Sequence, residues 1–231
     1  MEAKRNPLKK FLSVFIPFFV MPSMVITGLF VFRARGMAYM IAAVTALTLI
    51  VFLCGFEKRK TGTRRLVLTA VFIALASIGR VICSPLPGVN PITAITVLAA
   101  VYLGGEAGFM IGSLSALISN IVASQGTWSA FQMLAWGIIG MVAGLLSRFL
   151  EGHRLRLCVY TFTAGAVYSL IMDIFTVIWA SNTFSFDKYA AAIVTAIPFT
   201  LIYSLSNILF TFLLEKPFRE KLGRIKIKYD I

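Results

Sequence analysis

Residues 85–136 read PLPGVNPITAITVLAAVYLGGEAGFMIGSLSALISNIVASQGTWSAFQMLAW. Apolar runs at 92–104 and 107–124 lie inside this stretch, and another begins at 129. They are bounded by a Pro/Gly/Asn turn, a Gly-Gly-Glu turn and a Gln-Gly-Thr-Trp turn. The first and last turns carry no charge. Asn120, Gln132 and Trp136 stand inside apolar helices close to them. The runs are continuous rather than alternating, which argues against transmembrane strands and predicts an all-α integral membrane protein. Polar and aromatic groups gathered at one face of a membrane bundle point to a binding pocket.

The rest of the chain agrees with a lipid solvent. Of 231 residues, 59% are apolar and 13% charged, against roughly 45–50% and 25% in soluble domains. Mean hydropathy is +0.89. Spanning the hydrocarbon core takes about 20 apolar residues. Candidate spans fall at 11–32, 37–55, 66–83, 92–104, 107–124, 129–148, 157–181 and 189–214, which predicts eight transmembrane helices. The fourth is short and reads as tilted or incomplete. The basic linker Glu57 to Arg65 divides the chain. Residues 1–60 read as an accessory two-helix hairpin. Residues 61–231 read as a six-helix functional unit with a basic tail, Lys216 to Lys228, lying along the membrane surface.

A net charge of +13 invites a nucleic-acid partner, but its placement argues against one. Eighteen of the 22 Lys and Arg fall between Lys4 and Lys10, Lys58 and Arg65, Arg148 and Arg156, or Lys216 and Lys228. These clusters alternate with nearly uncharged connections. The positive-inside rule then places both termini in the cytoplasm of a multi-pass plasma-membrane protein. Arg33 and Arg35 fit that topology least well. Cys54, Cys83 and Cys158 are too far apart to imply a disulfide or a metal site. The first apolar run contains Pro17 and Pro22 and is not a typical cleaved signal.

Charged and amide groups inside spans are costly and default to functional hypotheses. The predicted topology puts Arg80, Asn120, Gln132, Trp136 and Asp173 in the outer half of the membrane. Trp128, Gln132 and Trp136 are spaced by four and share one helical face. Aromatic rings flanking an amide suit a flat, amphipathic, hydrogen-bonding ligand, although Trp128 alone equally suits an interfacial belt. Asp173 either pairs with Arg80 or stays available to a ligand, with the pair slightly favoured. Asn90 sits in a turn restricted by Pro87, Gly88 and Pro91; this turn, with Thr93 just beyond it, reads as a pocket rim, while the prolines equally suit a merely structural turn. Gln125 lies in the other outer turn. The loop 182–188 reads either as a movable lid with Phe184 and Phe186 or, at least equally, as an ordinary exposed connection. Glu106 opens a helix and reads as stabilising its N-terminus. Ala70 and Ala74, like Gly140 and Gly144, have the small-xxx-small spacing of close helix contacts. Each such pair serves either packing within the bundle or docking of another subunit.

Enzyme readings lack their residues. There is no GxxxxGK[ST] phosphate loop and no HExxH, and the one histidine, His153, lies in a basic loop.

The linker, Ala70-xxx-Ala74, Gly88-Val89-Asn90-Pro91-Ile92-Thr93-Ala94, Gly104-Gly105-Glu106-Ala107-Gly108-Phe109 and Gln125-Gly126-Thr127-Trp128 with Gln132-Met133 resemble the substrate-binding S components of energy-coupling factor (ECF) vitamin transporters. They are most similar to the cobalamin-type members, over about residues 65–215. The resemblance implies a six-helix bundle that captures a vitamin from outside and holds no permanent cofactor. It implies as partners a transmembrane coupling subunit, docked at Ala70 and Ala74, and two cytoplasmic ATPases in a bacterial plasma membrane. Cobalamin or a related corrinoid is the leading ligand. A folate, thiamin precursor, queuosine precursor or flavin is the alternative within the family. A secondary transporter coupling protons through Asp173 and Arg80, and a non-transport scaffold, are the alternatives outside it.

Overall fold

A computed structural model describes residues 7–32, 37–54 and 62–229. The described secondary structure is entirely helical: α1 (Pro7–Phe15), α2 (Met21–Phe32), α3 (Met37–Cys54), α4 (Gly62–Cys83), α5 (Ile92–Leu103), α6 (Gly105–Ala123), α7 (Ser129–Leu145), α8 (Ser147–Leu150), α9 (Arg154–Ser181) and α10 (Phe186–Tyr229). A π-helical turn, Ile16–Val20, joins α1 to α2. It carries Pro17, whose missing N–H interrupts the ordinary ladder. Arg33, Arg35 and most of the linker Glu57 to Arg65 lie outside the described residues.

The predicted apolar runs all became helices, but they differ in length. Pro7–Val31, Thr63–Cys83, Gly105–Ala123, Arg154–Ser181 and Phe186–Ile225 are long and apolar enough to cross a membrane. Ala38–Cys54, Ile92–Leu103 and Ser129–Leu145 are shorter apolar helices. Large side chains such as Leu66, Val67, Val71 and Ile82 on α4 and Val194, Leu205, Leu209 and Phe212 on α10 are exposed. Such continuous apolar surface is the kind that lipid or a neighbouring membrane helix covers.

The short helix α5 occupies the middle of the bundle. All of its residues except Tyr102 are buried. Its 12 residues rise about 18 Å at 1.5 Å each, well short of the roughly 30 Å hydrocarbon core. A half-length helix is tolerable at membrane depth when protein surrounds it. The non-helical backbone at its start is tied down. Asn90 Oδ1 accepts the Ile92 N–H at 3.0 Å, and the Asn90 N–H donates to Ser206 Oγ at 3.1 Å. Gly88 has φ +77° beside Ile202, a conformation and a space that glycine alone fits easily. At the other end of α5, Gly104 turns the chain with φ +89°. There the buried Arg65 of α4 donates to the Leu103 carbonyl at 2.8 Å and pairs with Glu106 at 3.4 Å. Glu106 therefore serves two purposes: it sits in the first turn of α6, and it fixes α4 to the α5–α6 corner.

The tightest crossing is between α6 and α7, and glycines set it. A Cβ on Gly112 would fall on the Trp136 carbonyl, one on Gly108 on the Gly140 carbonyl, and one on Gly144 on the Gly105 backbone. The glycine stripes therefore face each other within the chain. For Gly140 and Gly144 the packing reading holds, because the surface they would present to another subunit is occupied by α6. Gly165 has the same role between α9 and α10, where Ser204 and Asn207 take the space of its missing side chain. The N-terminal helices lie against α6 and α7, with Met21, Val25, Leu29, Met40 and Val44 buried. The helix α10 continues without a break through the basic tail, where Phe218 packs on Phe72 of α4 at 5.0 Å between ring centroids.

Candidate functional site

Six helices (α4, α5, α6, α7, α9 and α10) bring polar and aromatic side chains to one end of the bundle, where α4 and α6 finish and α5 and α7 begin. Arg80 stands in the last turn of α4. Its Nη1 donates to Ser119 Oγ and to Asn120 Oδ1, both at 2.6 Å, and its Nη2 donates to Gln132 Oε1 at 3.3 Å. Asn120 Nδ2 donates to Gln132 Oε1 at 2.8 Å and to Ser129 Oγ at 3.0 Å. Gln132 Nε2 then donates to Tyr168 OH at 3.0 Å. The two amides thus connect a cation from α4 to a phenol from α9, and both are nearly inaccessible to solvent.

Aromatic rings close the other side. Trp136, one turn beyond Gln132, is fully buried. Its Nε1–H is shared between Thr93 Oγ1 at 3.1 Å and Tyr203 OH at 2.8 Å, and those two hydroxyls are 2.5 Å apart. The Tyr168 ring stacks on Trp136 at 4.5 Å and meets Tyr203 at 5.1 Å. The Arg80 guanidinium lies 4.9 Å from the Trp136 ring centroid, within cation–π range. Buried tyrosine and tryptophan normally keep a hydrogen-bond partner, and here they partner one another. Close by on α5, α9 and α10, Thr96 Oγ1, Ser169 Oγ, Ser204 Oγ and Asn207 Oδ1 are buried without a hydrogen-bond partner among the described residues.

Of the residues singled out in the sequence, Arg80, Thr93, Asn120, Gln132 and Trp136 come together. Trp128 immediately precedes α7 and is 37% exposed, at the rim rather than inside. Gln125 accepts from Ser129 Oγ at 2.7 Å and supports the amides from the turn. The Asn90 side chain caps the start of α5. Phe184 lies in the exposed loop, edge-to-face with Phe186 at 5.3 Å. The favoured pairing of Asp173 with Arg80 is not formed: Arg80 is taken up by neutral oxygens, and Asp173 has no hydrogen bond or ion pair with it among the described residues. Ala70 and Ala74 are exposed on α4, in line with Leu66, Val67 and Val71.

Tyr168 and Tyr203, together with Ser119 and Ser129, belong to the cluster and were not singled out. A phenol mid-span on a helix that also carries Ala164 and Gly165 was the available signal: small neighbours let another helix approach, and the phenol then needs a partner. Ser119 and Ser129 gave no signal, since serine is common in membrane helices.

The described fold is that of a multi-pass helical membrane protein with a buried cation–amide–aromatic cluster at one end. A family model for the substrate-specific component of ECF transporters matches residues 64–218, and the chain belongs to that family. No curated protein and no solved structure matches the chain. Members of the family are substrate-binding membrane subunits rather than enzymes, and membership implies assembly with coupling and ATPase subunits. The match begins after the N-terminal hairpin.

Proposed function

We propose that the chain captures a vitamin-like molecule from outside the cell at the Arg80–Asn120–Gln132–Trp136–Tyr168–Tyr203 cluster. It then delivers the molecule through a coupling subunit driven by two cytoplasmic ATPases. In this reading both termini are cytoplasmic, the Arg80 end of the bundle faces outward, residues 61–231 form the capture unit and residues 1–60 are accessory. The aromatic stack bordered by amides carries the proposal. Two carboxamides and three ring faces recognise a flat heterocycle through its hydrogen-bonding edge and its π-face. That chemistry suits a folate, flavin, thiamin precursor or queuosine precursor better than the bulkier cobalamin, which is second among the family's ligands here. Rings separated by 4.5–5.1 Å leave no gap for a ligand, so capture includes a rotamer change of at least one ring.

Native mass spectrometry of the purified full chain tests this reading. Wild-type protein is expected to carry a small-molecule adduct, and the Asn120→Ala/Gln132→Ala double variant to have lost it while remaining folded. A bare wild-type protein, or an adduct equally retained by the double variant, counts against the site.

A further inference from the structure

We infer that the captured molecule carries an anionic group, a carboxylate or phosphate, which seats on the free edge of the Arg80 guanidinium. This rests on the cluster being the capture site, and it adds the charge of the ligand.

A guanidinium has five N–H donors. In this structure Nη1 uses both of its donors, on Ser119 and Asn120, and Nη2 uses one, on Gln132. Nε–H and the second Nη2–H make no hydrogen bond among the described residues. Nε and Nη2 flank one edge of a guanidinium, and donors on that edge can match two oxygens of a carboxylate or phosphate. The charge is equally unspent. The three acceptors on Arg80 are a hydroxyl and two carboxamides, and the acidic side chain nearest in expectation, Asp173, does not pair with it. The last turn of α4 contributes partial negative charge, but its carbonyls accept no bond from the guanidinium. A partly buried cation inside an apolar bundle is costly when it lacks a counter-charge.

The contrast with Arg65 shows what a purely structural arginine looks like in the same helix. Arg65 has a carboxylate, Glu106, and a backbone carbonyl, so its charge is matched. Arg80 is oriented by three neutral partners, lies 4.9 Å from the Trp136 ring centroid, and keeps donors that no described residue takes up. A ring stacked there would carry its acidic group within reach of the guanidinium.

The test uses the full chain purified in detergent. Bound small molecules are released by denaturation, separated into water-soluble and phospholipid fractions, and identified by mass spectrometry. The compound found is then re-bound to wild type and to Arg80→Gln, alongside its neutral methyl ester. The expected result is a water-soluble aromatic acid or phosphate whose affinity falls roughly thirtyfold or more in Arg80→Gln, as when one partner of a buried charge pair is removed. Esterification should cost a similar factor in wild type and almost nothing further in the variant. That non-additivity separates direct contact from general loosening of the bundle. A neutral or cationic compound, a phospholipid as the sole bound species, an ester that binds as tightly as the acid, or additive losses would each overturn the inference. A neutral flat compound would leave the capture site standing, whereas release of no compound would remove both.

Discussion

Trp136 has a polar end and a packing role that pull a mutational test in different directions. Its ring is fully buried against Tyr168, and its indole N–H is shared by Thr93 and Tyr203. Truncation to alanine removes a whole aromatic side chain from a packed core, a change that costs about 3–5 kcal/mol. It therefore lowers stability as well as binding. Trp136→Phe keeps a ring in the stack and deletes only the donor. Thr93 and Tyr203 can still bond each other at 2.5 Å, so the expected loss is about 1 kcal/mol of stability, read as a small drop in the thermal midpoint. Ligand capture should weaken by more than that drop explains. Equal affinity in Trp136→Phe and wild type would show that the indole N–H has no part in recognition. At this scale the sequence was informative about amides and cations, because such groups are rare and costly inside spans. It was uninformative about Tyr168 and Tyr203, whose importance arises only when α9 and α10 are packed against α7.

At the scale of elements, the α6–α7 crossing determines whether the cluster assembles. Asn120 and Gln132 meet because Gly105, Gly108 and Gly112 lie against Gly137, Gly140 and Gly144, bringing the two backbones close. Without a hydrophobic force between helices in lipid, such close packing is a main source of association. Gly112→Ala places a methyl group on the Trp136 carbonyl, where backbone rather than a flexible side chain must move. The expected cost is about 1–3 kcal/mol from overpacking, measured as a lower unfolding midpoint in detergent together with weaker ligand capture. A variant with both properties unchanged would show that the helices cross less tightly than described. The helix positions were readable from the apolar runs because turn residues punctuate them so clearly. Their lengths relative to the membrane were less readable. Hydropathy reports how apolar a run is, not whether protein or lipid surrounds it, and α5 is short because protein surrounds it.

For the whole molecule, the central idea is a division of labour. In the proposed function the cluster at the Arg80 end binds, and another face transmits. The exposed stripe of α4 that includes Ala70 and Ala74 lies along one side of the bundle, small in the middle and apolar along its length. It leaves room for a partner helix to approach closely in lipid. The glycine stripes of α6 and α7 share this small-residue pattern but are consumed inside the chain. Sequence spacing could not tell the two kinds of stripe apart, since burial is a property of the folded bundle. The most direct measurement is affinity purification of the tagged full chain from its native membranes, wild type beside Ala74→Trp, with the protein partners and the bound small molecule both identified. Wild type should bring a transmembrane coupling subunit and ATPases, and Ala74→Trp should lose those partners while keeping its small molecule. A wild-type chain that reproducibly elutes alone, or an Ala74→Trp chain that retains its partners undiminished, would contradict the account.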